Sequence, residues 1–74
     1  MYYDEDMILD TLREIYKSGT RVELDYMISS LVPKSTQGTV VEVKRNGSIV
    51  VDWDNGLRVM TTPVLDKIHI VRGW

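Results

Sequence analysis

The 74-residue chain has no cysteine. That removes disulfide staples, thiolate zinc sites and a thiol nucleophile. It has a single histidine, so no metal site can rest on a histidine pair. No apolar run approaches the ~20 residues of a membrane helix, and no basic stretch followed by an apolar one opens the chain as a signal peptide would. The five glycines stand singly and never form a phosphate-cradling loop. Basic charge is not in excess: nine Lys and Arg face eleven Asp and Glu. A net charge of −2 argues against a protein held to nucleic acid by its overall field. These absences lead us to expect one soluble, cytoplasmic domain with no cofactor and no catalytic or metal centre. A domain this small has a stability of only ~0.1 kcal/mol per residue.

The charges divide the chain. Residues 1–19 carry five acids against two bases, whereas residues 20–74 carry six against seven. The hydrophobic period changes at the same place. Ile8, Leu12, Ile15 and Tyr16 recur at helical spacing, with Met7 and Leu9 flanking them. Asp4 suits an N-cap, three acids suit the positive end of a helix dipole, and Lys17 and Gly19 are stop signals. This predicts an amphipathic helix within residues 1–18. An isolated helix of that length is marginal in water. Its stripe of Ile8, Leu12, Ile15 and Tyr16 must therefore be covered, either across an open end of its own barrel or by a second copy or a partner. Tyr2 and Tyr3 would lie near that contact.

Beyond Gly19 the period falls to two. Strands are expected over about 20–26, 38–44, 48–54, 57–61 and 67–71. The alternation stutters at Val40, Val41 and Val43, which implies either burial on both faces or a bulge. Asn46-Gly47 and Asn55-Gly56 mark hairpin turns with positive φ expected at both central positions. Strands two to four then form a meander, with Trp53 facing the core beside Ile49 and Val51. Five short strands hide their edges best by curling into a closed barrel. A one-turn helix is expected at Thr62–Asp66, and the 27–37 loop is expected to be mobile and open to partners.

The blocks Gly19-Thr20-Arg21-Val22, Gly38-Thr39-Val40 and Trp53-Asp54-Asn55-Gly56, then Pro63-Val64-Leu65-Asp66-Lys67, resemble a family of small uncharacterised bacterial and phage-borne domains. The resemblance implies an SH3-like barrel over residues 19–71, without the helix, and brings no assigned activity. The same order of blocks is similar to the barrel repeats of mind-bomb-type ubiquitin ligases, which bind peptides. The first loop, Met27-Ile28-Ser29-Ser30, is more apolar than the Met-Asp-Asp-Pro common in the bacterial family.

The expected fold class is thus mainly β: an N-terminal α-helix and a five-stranded SH3-like barrel over residues 19–74. The function expected is a non-catalytic interaction module that binds a protein or peptide. Its contacts would be Tyr26, Met27, Leu31, Arg45, Asn46 and Arg58. One rival is a nucleic-acid-binding barrel using Lys44, Arg45, Arg58 and Arg72, with Tyr26 for stacking. Another is a homo-oligomer joined through the helix. His69 is expected to be an exposed strand residue, Asp52 and Asp54 to be solvated with Asp54 shaping its turn, and Trp74 to be an exposed aromatic.

Overall fold

The computed structural model describes residues 5–72. Helix α1 spans Glu5–Ile15 and is followed by β1 (Arg21–Tyr26), β2 (Gln37–Val43), β3 (Ile49–Trp53), β4 (Arg58–Thr61) and β5 (Lys67–Ile70). Asp4, Tyr2, Tyr3 and Trp74 lie outside the described residues. The strands form one antiparallel sheet in the order β4-β3-β2-β1-β5. Strands β2 to β4 are the predicted meander, and β1 lies between β2 and β5. The domain is mainly β with one helix, a small barrel-like fold as the sequence predicts. Closure is partial: β4 and β5 are the two edges of the sheet, and no ladder joins them among the described residues.

Burial follows strand parity. Val22, Leu24, Val40 and Val51 are fully enclosed, each stabilising the fold by about 1.5–3 kcal/mol relative to exposure. Ile49 and Trp53 join them from β3. The stutter in β2 is a bulge, because the register with β3 shifts between Val40 and Glu42. The extra residue lets Val40 and Val43, three apart, both face inward. A second shift lies between Leu24 and Tyr26 against β5. It reverses the parity of the next residues, so Tyr26 is exposed and Met27 turns into the core.

Both hairpin turns differ from expectation. Only the glycines have positive φ, Gly47 at 89° and Gly56 at 92°. The Gly47 N–H donates to the Lys44 carbonyl at 2.9 Å, and Lys44 N–H to the Ser48 carbonyl at 2.7 Å. The Trp53–Leu57 turn repeats the pattern, with bonds of 3.0 and 2.8 Å. These are three-residue loops closed by a left-handed glycine, not two-residue ones. The asparagine side chains select them: Asn46 and Asn55 accept the N–H two residues on, at 3.0 and 3.1 Å.

The helix docks on its own barrel, turned from the predicted stripe. Leu9 enters the core, and Leu12 and Tyr16 pack against it. At 100° per residue these three span 60° of the helix circumference, while Ile8 and Ile15 sit on its flank. Both isoleucines are accordingly half exposed. The predicted one-turn helix at Thr62–Asp66 is absent, because Val64 takes a φ of 72° and breaks it. A wide turn stands there, closed by the Asp66 N–H donating to the Thr62 carbonyl at 2.9 Å.

Gly38 faces Trp53 across the β2–β3 ladder. A Cβ there would fall 2.6 Å from a Val51 methyl and 2.9 Å from both the Asp52 carbonyl and the Trp53 ring. Gly38→Ala is therefore expected to destabilise the domain by about 1–3 kcal/mol through overpacking, measured as a lowered urea midpoint. An unchanged midpoint would show that the indole does not rest on that backbone.

Candidate functional site

The open seam of the barrel is concave. A cleft of about 580 Å³ lies between α1 and the β4 and β5 edges. The helix contributes Ile8, Leu9 and Leu12, and Tyr16 follows just past its end. The β2–β3 turn supplies Arg45, Asn46 and Gly47, with Ile49 beyond it. The segment from β4 to β5 adds Thr61, Thr62, Pro63, Val64 and Asp66, continuing into Lys67 and Ile68 of β5. Most of the surface is apolar, and the charged groups are Arg45, Asp66 and Lys67. Ordinary ligand pockets measure about 300–1,000 Å³ with the same mixture of apolar walls and few polar groups.

One carboxylate organises the rim. Asp66 accepts from Thr62 N–H at 2.6 Å with one oxygen and from Ile28 N–H at 2.9 Å with the other. It thereby fixes the 62–66 turn and fastens it to the loop after β1. That loop is pinned rather than loose. Met27 and Val32 are buried in the core, Ser35 N–H donates to the Leu24 carbonyl at 2.7 Å, and Leu24 N–H to Thr36 at 2.9 Å. Ile28 and Leu31, like Tyr26, remain exposed.

The predicted contact residues are distributed unevenly over this surface. Tyr26 at the end of β1 and Leu31 on the loop after it are exposed, and Met27 is not available there, because the β1 bulge turns it inward. Arg45 and Asn46 line the cleft. Arg58 sits at the other end of β3, beside the Asp54–Gly56 turn, so it does not converge with Arg45. Of the helix stripe, Ile8 and Leu12 line the cleft with Tyr16, while Ile15 does not. Sequence reasoning missed Thr62, Pro63, Val64 and Lys67 as cleft residues, and it placed Leu9 only as a flanking position. Helical angles of 100° per residue place Leu9 only 20° from Tyr16, inside the face that Leu12 and Tyr16 share and not beside it.

The outer face of the sheet is polar and internally paired. Arg21 holds Asp54 through two bonds of 2.8 and 2.6 Å and also donates to Thr39 and Gln37. Gln37 donates onward to Glu23 at 3.3 Å. Arg58 grips Asp52 in the same forked manner, at 2.5 and 2.9 Å. Asp54 thus serves the Arg21 pair rather than its own turn. With Arg21 and Arg58 each matched to a carboxylate, this face offers little free positive charge to a phosphate backbone.

Glu23 and His69 are directly opposite in the β1–β5 ladder. His69 Nδ1 lies 2.8 and 3.0 Å from the Asp25 oxygens, and its Nε2 lies 3.6 Å from Glu23. The three groups offer ligand-type atoms within 4.8 Å of one another. Their spacing is that of an imidazolium held between two carboxylates. The hydrogen bond to Asp25, with the charges of Asp25 and Glu23, raises the His69 pKa above its ordinary value. Hydrogen bonds from Arg58 and Arg21 lower those of Asp52 and Asp54.

The signs oppose each other. The His69 contribution is complete below the ordinary value near ~6.5 and is lost as pH rises through the raised folded value. The Asp52 and Asp54 contributions are present above the usual carboxylate range and are lost as pH falls through their lowered values. Thermal stability is expected to fall on both sides of a maximum. In a pH series of melting curves His69→Gln should flatten the upper side alone, and Asp54→Asn should shrink the loss on the acid side. A His69→Gln curve that keeps the upper-side fall would assign it to another group.

No curated protein and no solved structure matches this chain. The family described as Domain of unknown function (DUF4314) matches residues 5–71, so it takes in α1 as well as the barrel and extends the region of resemblance expected from the sequence. A helix that places Leu9 in the barrel core is a part of the same folding unit, and the chain belongs to this family of uncharacterised domains.

Proposed function

We propose that the domain is a non-catalytic interaction module of a bacterial or phage accessory protein, cytoplasmic, which binds a segment of a partner protein in the cleft between α1 and the barrel seam. The cleft itself carries this reading. It presents apolar walls from four elements, and the helix and strand edges around it are already fixed by the core, so little ordering is needed on binding. The edges of β4 and β5 that border it carry backbone groups without a strand neighbour among the described residues, the setting in which extended peptides add to sheets.

The chemistry of the lining supports binding rather than turnover. Catalysis by proton transfer most often uses an imidazole or a carboxyl group positioned at the reacting atom. Both oxygens of Asp66 are engaged by backbone N–H groups. His69 belongs to the opposite face of β5 from the cleft-lining Ile68 and is held by Asp25.

Selection from a random peptide library tests the proposal. The wild-type domain is expected to enrich a family of related sequences. Thr62→Trp, an exposed position at the cleft whose backbone bond to Asp66 the change preserves, should fill the space and abolish enrichment with the melting temperature kept. Enrichment that survives this substitution would place binding elsewhere. Steeply salt-dependent retention of RNA or DNA, with no peptide enriched, would favour the nucleic-acid alternative.

A further inference from the structure

Two features of the cleft are unexplained by folding. The first is Val64. A β-branched residue at a φ of 72° is a genuine backbone outlier, since its Cβ crowds the adjoining carbonyl. Its side chain is 82% exposed, so burial does not compensate. Asp66 holds the turn in this shape through its two backbone bonds. A strained backbone that places an apolar side chain in water, at the lip of an apolar cleft, is unfavourable for the free domain on both counts. Such strain is found where a partner makes use of it. Leu65, half exposed, and Pro63 flank it.

The second feature is charge. Arg45 and Lys67 line the cleft and are exposed. Lys67 has no ion pair among the described residues. Arg45 faces Asp6 at 3.9 Å with both side chains more than three-quarters exposed, a contact of little strength. Asp66 is the one acid among the lining residues, and both its oxygens are turned to amides. The lining therefore carries two bases against one carboxylate, and the two bases are the charged groups left open to an incoming group.

We propose that the cleft takes a short partner segment in which apolar side chains are flanked by Asp or Glu, the apolar groups packing on Val64, Leu12 and Ile8 and the carboxylates meeting Arg45 and Lys67. This rests on the peptide-binding reading above and specifies its ligand. Val64 is then an anchor kept in a costly conformation for contact with the partner, and the two bases set the sign of what is accepted. Rim charges act chiefly on selection and on-rate, whereas the apolar anchor acts on residence time.

The same library distinguishes this inference from the reading beneath it. Peptides enriched on the wild-type domain should carry apolar residues bordered by acids. The double variant Arg45→Glu/Lys67→Glu should lose affinity for them about tenfold and enrich Lys- and Arg-bordered sequences instead. Val64→Gly and Val64→Asn, both compatible with positive φ, should raise the melting temperature while weakening the selected peptides. Opposite signs in stability and binding are what a purely structural turn residue would not give. Peptides enriched without acidic bias, or untouched by the charge reversal, would overturn the charge assignment. A lowered melting temperature in both Val64 variants would show that its side chain serves the fold. No enrichment at all would instead remove the peptide-binding reading itself.

Discussion

The contact between Trp53 and Gly38 holds the barrel together. The indole lies where a side chain on β2 would stand, and its Nε1–H donates to the Val59 carbonyl at 3.0 Å. One residue thereby joins β2, β3 and β4, and an aromatic ring fills the centre of a domain too short for a deep core. The pairing requires glycine at that point of β2 and nothing larger. The same β2–β3 ladder carries the bulge that returns Val43 to the interior.

Much of this was legible. The change of period at Gly19, the alternation through Ile49, Val51 and Trp53, and the two Asn-Gly pairs define the helix, the strands and the meander. His69 is on the exposed face that alternation gives it. Two of the details that failed depend on contacts between segments distant in the chain. The bulge at Leu24–Tyr26 arises in the pairing with β5, and no local pattern announces that Met27 will turn inward. The Asp66 carboxylate defeats the expected helix at residues 62–66 by bonding to Thr62 and to Ile28, which is 38 positions away.

The candidate site was harder to read than the fold for the same reason. Charged residues scattered along strands look alike in sequence. In the folded chain Arg21 and Arg58 are neutralised by acids of neighbouring segments, while Arg45 and Lys67 arrive beside an apolar hollow. Helical spacing identified the right stripe on α1 to within one residue's rotation, and the error decided whether Leu9 or Ile8 was counted as core. The Glu23, Asp25 and His69 cluster likewise needs the β1–β5 adjacency, which joins the first strand to the last.

Asp66 makes a single unit of two irregular stretches in the barrel. The loop after β1 and the turn that precedes β5 are far apart in sequence, yet one side chain splices them. A displacement of either is therefore transmitted to the other without passing through the core. Length changes in one segment carry a penalty in both, which confines drift of this corner to exchanges of surface side chains such as Ile28, Leu31 and Leu65, with the backbone frame kept intact.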